Sequence, residues 1–117
     1  MENEKRSYIR EEQFYSKFKI SKDQKHWQDG KIFDLSAGGL KFYAVGDFKI
    51  GDTLWFDITI HYLVFQSKMR LEGEIRREEN HQNHETLYGV AFKNLSPEMG
   101  IQIDEIILLK KRFLNDE

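Results

Sequence analysis

A chain of 117 residues with 39% hydrophobic and 14% aromatic content can bury one core but leaves no room for a second domain of ordinary size. The net charge of -2 excludes the bulk positive field that non-specific duplex binding needs, so any anion must be held by a local cluster. The lack of Cys excludes disulfides, thiolate metal sites and a cysteine nucleophile, and no apolar run is long enough for a signal peptide or a membrane span, which reads as a cytoplasmic protein without membrane insertion.

Residues 1–12 are polar and carry Lys5, Arg6 and Arg10, a segment expected to be flexible. Only five residues precede Arg6, so no upstream output domain is expected. From Phe14 the residues alternate, with Phe14, Ser16, Phe18 and Ile20 on one side of a strand and Tyr15, Lys17 and Lys19 on the other. A polar stretch ends in the turn dipeptide Asp29-Gly30, and alternation resumes with Phe33 and Leu35 opposing Asp34 and Ser36. Ala37-Gly38-Gly39 follows, then Leu40, Phe42 and Ala44 at strand spacing, with Gly46-Asp47 and Gly51-Asp52 as punctuation.

Leu54, Phe56, Ile58 and Ile60 alternate with Trp55, Asp57, Thr59 and His61, and Phe65 to Ile75 alternates against Gln66, Lys68, Arg70, Glu72 and Glu74. Glu78 to Thr86 reads as a polar loop between hairpin strands, and Leu87 to Phe92 as a closing strand. Ser96-Pro97 is an N-cap followed by proline at the first helical position, with Met99, Ile103, Ile106 or Ile107, Leu109 and Phe113 at helical spacing. Five or six antiparallel strands followed by one helix predict an all-β-dominated barrel over 13–93 and a C-terminal helix over 96–114.

Two motifs carry the chemistry. Arg6 and Arg10 present permanent cations at a spacing of four, which brings both to one side of a strand or of a helix. A guanidinium fork grips phosphate bidentately or pairs with guanine O6 and N7. In Asp34-Leu-Ser36-Ala-Gly-Gly39, the carboxylate can accept from the N1 and N2 donors of guanine, and the hydroxyl can donate to phosphate or accept from a base. Gly39 removes a side chain where ligand and backbone approach. Each motif alone has a plain alternative, a solvated basic tail and a strand-ending turn; together, in this order and strand context, they point to a nucleotide site.

RxxxR followed by [D/N]xSxxG resembles the signature of the PilZ domain family, bacterial receptors for cyclic di-GMP. Gly73-Glu-Ile-Arg76 and Tyr88-Gly-Val-Ala-Phe92 resemble that family's later strands. The resemblance implies a small antiparallel six-stranded β-barrel with a C-terminal α-helix. It implies that Arg6 and Arg10 hold phosphates and guanine edges, that Asp34 and Ser36 hold the base and nearby polar atoms, and that Gly39 supplies clearance. Lys5 adds charge beside the first arginine, and Arg76 is a weaker candidate. A separate effector protein is the implied partner, and no cofactor is expected.

Other constellations weigh less. His81-x-x-His84 beside Glu78, Glu79 and Glu85 has metal-ligand types, but reads as a solvated hairpin tip. Ser36 has Asp34, not glycine, two residues before it, so it is no nucleophile elbow, and no acid and base pair separates; no enzyme is expected. Trp27, Trp55 and Tyr43 could stack single-stranded nucleic acid, yet the acidic balance argues against a nucleic-acid partner. A protein-interaction module of the same fold without a nucleotide is the remaining alternative.

Overall fold

The computed structural model describes residues 14–62, 65–82 and 84–115. Seven antiparallel strands form one sheet: β1 (Tyr15–Ser21), β2 (Gln28–Asp29), β3 (Lys31–Leu35), β4 (Gly39–Ala44), β5 (Thr53–Tyr62), β6 (Phe65–Gln82) and β7 (Glu85–Lys93), followed by helix α1 (Pro97–Asn115). Their order across the sheet is β2-β1-β5-β6-β7-β4-β3. The strand beyond the expected six is the two-residue β2, which pairs Lys19 with Asp29 and Ile20 with Gln28.

The hydrogen-bonded ladder is not closed, yet β2 and β3, its two ends, are consecutive in the chain and joined through Gly30. A Cβ on Gly30 would meet Ile20 Cδ1 at 2.6 Å and the carbonyl of Tyr43 at 3.1 Å, so atoms of β1 and β4 converge there. The sheet is thus curled like a barrel whose seam closes on a glycine. Asp29-Gly30, read in the sequence as a turn dipeptide, carries the chain across that seam.

The interior follows the sequence alternation. Leu54, Phe56, Ile58 and Ile60 of β5 and Leu40, Phe42 and Ala44 of β4 are buried. Phe42 lies at the centre of an aromatic group, 5.4 Å from Phe56, 5.3 Å from Tyr88 and 5.8 Å from Phe18 between ring centroids. Each such side chain removed from water stabilises the fold by about 1.5–3 kcal/mol. Helix α1 lays Ile103 and Ile106 into this core, with Met99, Ile107 and Leu109 half-buried around them. Ser96 caps it, its hydroxyl accepting from the Met99 amide at 3.2 Å.

Three expectations fail where the ladder slips by a residue. A register shift between Tyr15 and Lys17 turns Tyr15 inward and Ser16 outward, and one between Ile32 and Asp34 leaves Phe33 48% exposed with Ile32 nearer the core. A bulge sets two residues of one strand against one of its partner, so parity reverses beyond it. Glu78 to Thr86, read as a loop, is mostly strand: Glu78 pairs with Tyr88, His81 with Thr86 and Gln82 with Glu85. Within it Thr86 is buried, and Glu79 and Glu85 are half-buried, so the polar composition did not keep the segment out of the sheet.

Candidate functional site

The second motif is a hairpin tip clamped to its neighbour. Asp34 pairs with Lys41 and Leu35 with Leu40, and the Ser36 amide donates to the Gly39 carbonyl at 2.9 Å. The Phe92 amide donates to the Gly38 carbonyl at 2.9 Å, fastening the tip to β7. Asp34 and Ser36 are both exposed, on the outward side where alternation puts them. The Ser36 hydroxyl donates to the Gly39 carbonyl at 3.2 Å, so its proton serves the turn and its lone pairs remain for a ligand.

The two glycines divide their work differently from what the sequence suggests. A Cβ on Gly39 would lie 2.0 Å from the carbonyl oxygen of Val90, so glycine here is demanded by the β4–β7 ladder, not only by a ligand. At Gly38 a Cβ would meet nothing within 4 Å. Gly38 is therefore the residue that opens the groove.

That groove has a volume of about 310 Å³ and is lined by Asp34, Ser36, Gly38, Lys41, Arg76 and Arg77, with Gly39 and Gly89 to Ala91 as its floor. Sequence parity would send one of the adjacent arginines into the core. A register shift between Ile75 and Arg77 leaves both exposed at the groove. Arg77 pairs with Gly89, where an added Cβ would touch the arginine's Cβ, Cγ and Cδ at 3.3, 3.8 and 3.9 Å. Its apolar stem thus lies across a bare stretch of β7.

The groove's cations are differently committed. Arg76 Nε is 3.5 Å from Glu74 Oε2 and Lys41 Nζ is 3.5 Å from Glu79 Oε2. Arg77 has no carboxylate partner among the described residues, which leaves its fork for an anion. Three cations facing one uncommitted carboxylate, Asp34, suit a ligand that carries both phosphate and a base with donor edges.

Of the residues singled out in the sequence, Asp34, Ser36 and Gly39 line this groove together, and the weaker candidate Arg76 joins them. Lys5, Arg6 and Arg10 lie outside the described residues. Lys41 and Arg77 were missed. Lys41 shares outward parity with Tyr43 on β4, whereas the exposure of both arginines follows from the β6–β7 register shift and has no local signal.

Comparison with known proteins bears on the family and the fold. The PilZ domain family model matches residues 4–109. No curated protein matches the chain. Among solved structures, Bacillus subtilis inhibitor of motility (MotI/DgrA) is similar at 17% identity and a TM-score of 0.67, over 84% of this chain and 46% of that one. The chain thus spans less than half of that protein. The PilZ domain of YcgR from Escherichia coli with c-di-GMP is similar at 15% identity and a TM-score of 0.66, over 81% of both chains. At these identities the likeness is one of fold.

Proposed function

Because the chain belongs to the PilZ domain family, we propose that it is a receptor for cyclic di-GMP that passes the signal to a separate protein by a change of surface, without catalysis. The observation that carries this reading is the convergence of Asp34, the Ser36 hydroxyl, Gly38, Lys41, Arg76 and Arg77 on one groove, in a chain whose sequence also carries Arg6 and Arg10. In it, Asp34 accepts from the N1 and N2 edge of a guanine, Ser36 accepts from a nearby donor, and Arg77 pairs with a phosphate or with guanine O6 and N7. A groove of about 310 Å³ is small for a whole cyclic dinucleotide, at the lower end of ligand clefts. In this proposal Arg6 and Arg10, with Lys5 adding charge, hold the part of the ligand that the groove does not.

An N-terminal segment that orders over the ligand changes the surface next to the groove, and that change is the output. Action in the cytoplasm fits this reading, since no helix among the described residues is long and apolar enough to cross a membrane. Control of motility or biofilm formation fits it too, as one fold neighbour is described as an inhibitor of motility.

Calorimetric titration with cyclic di-GMP, beside GTP and cyclic di-AMP, tests the proposal. Selective binding that weakens by about one to two decades in Arg10→Ala, the loss of about 1–3 kcal/mol, is expected. No heat and no thermal shift at high ligand concentration would refute it and leave a nucleotide-independent interaction module.

A further inference from the structure

A second groove, of about 770 Å³, runs over the outer face of β1, β5 and β6. Strand register arranges its charges in rows. In one row Lys19 stands beside Asp57, which stands beside Arg70, and Asp29 closes the far side. Each cation of that row has a carboxylate: Lys19 is paired with Asp29, and Arg70 donates to both oxygens of Asp57 at 2.6 and 2.9 Å. The adjoining row reads Lys17, Thr59, Lys68 and contains no acid. Those two lysines are exposed, without a partner among the described residues, and about 10 Å apart across two strand spacings.

The wall of the groove is Trp27, half-buried, with the Arg70 guanidinium carbon 4.9 Å from its ring centroid. Asp57 and Trp27 together hold that arginine rigid from two sides. Tryptophan and arginine, fixed in place before association, are the residue types that dominate protein interfaces. The groove is lined by four cations, two of them offset by Asp29 and Asp57 and two, Lys17 and Lys68, without a carboxylate partner among the described residues, in a chain whose net charge is -2.

We propose that this groove docks an acidic segment of a partner protein, whose carboxylates pair with Lys17 and Lys68 while an apolar side chain covers Trp27. A single-stranded nucleic acid fits less well. Strand binding uses successive free aromatic faces, whereas Trp27 already has Arg70 over its ring and Trp55 stands opposite Glu72. A lipid surface fits less well too, because the exposed large apolar residues Phe33, Val45, Ile50, Ile101 and Leu108 all lie outside the groove. Arg70 and Arg76 are about 20 Å apart along β6, so partner and nucleotide can be held at once. The assignment does not depend on nucleotide binding.

The test is fluorescence anisotropy of the full chain with a labelled glutamate-rich peptide containing a central leucine. Its glutamine counterpart, oligo(dT) and phosphatidylglycerol vesicles are run in parallel. Saturable binding of the glutamate peptide alone is expected, weakened about tenfold or more by combined Lys17→Glu and Lys68→Glu. Trp27→Ala should weaken it as well, while Lys111→Glu, on the exposed side of α1, and saturating cyclic di-GMP leave it unchanged. Failure of the peptide to bind, an equal loss in Lys111→Glu, competition by cyclic di-GMP, or tighter binding of oligo(dT) or vesicles that the double variant abolishes would each overturn the assignment. A chain that ignores cyclic di-GMP leaves all of these readouts intact, so the two proposals fail separately.

Discussion

Replacing Gly39 and Gly38 one at a time by alanine separates what the fold needs from what a ligand needs. At Gly39 the new methyl group would sit 2.0 Å from the Val90 carbonyl oxygen, against a floor of 3.0 Å for real contacts of that kind. Strand β4 or β7 must give way by about an ångström. That movement strains the Gly39–Ala91 pair and the bond from the Phe92 amide to the Gly38 carbonyl. Overpacking of this size costs about 1–3 kcal/mol and a weakened hydrogen bond about 1 kcal/mol more. Gly39→Ala should therefore lose about 2–4 kcal/mol, or about 8–16 °C in melting temperature at about 4 °C per kcal/mol for a domain of this size. Gly38→Ala meets nothing within 4 Å and should melt within about 2 °C of the parent, while its methyl group narrows the groove and weakens cyclic di-GMP binding. Calorimetric melting of both variants, with a nucleotide titration of Gly38→Ala, reads both effects. A Gly39→Ala protein that melts like the parent, or a Gly38→Ala protein equally destabilised, would show that the glycines have been assigned the wrong way round.

Arg77→Ala should weaken cyclic di-GMP by about ten- to a hundredfold, by the usual worth of a bidentate contact, with an unchanged melting temperature; a titration that matches the parent would remove Arg77 from the site. Ser96→Ala deletes the hydroxyl that accepts from the Met99 amide and should cost about 1 kcal/mol, read as a drop of about 4 °C in a thermal melt. Asp23 accepts from the amides of His26 and Lys25, both at 2.8 Å, and from the His26 ring at 2.7 Å, and these bonds, those to His26 foremost, hold its carboxyl well below the usual carboxylate range. A depressed carboxyl contributes stability above its unfolded pKa of about 3.9 and loses it as the pH falls below that value, so melting temperature should fall on acidification less steeply in Asp23→Asn than in the parent. Equal slopes across that range would show that the loop ahead of Trp27 gains nothing from this charge.

Much of the site was legible because its pieces are local. Asp34 and Ser36 face outward by parity alone, and the cap at Ser96 is a property of neighbouring residues. Arg77 and Lys41 were not legible, since their place at the groove depends on strands that are distant in the chain. The Ile75–Arg77 slip brings both arginines to one face, and only the pairing of β6 with β7 creates that slip. The same cause hid the outward turn of Phe33 and Ser16.

The sequence by itself determined the strand character of β4 and β5, the buried face of α1 and the outward placement of Asp34 and Ser36. Those features follow from which side chains avoid water and from the fixed periods of strand and helix. Tertiary structure decided where the ladder slips, that Gly39 serves the Val90 backbone while Gly38 opens the groove, and that the sheet's two ends meet at Gly30. These are questions of register and close approach between segments far apart in sequence, and no local pattern of polarity encodes the distance from one backbone to another.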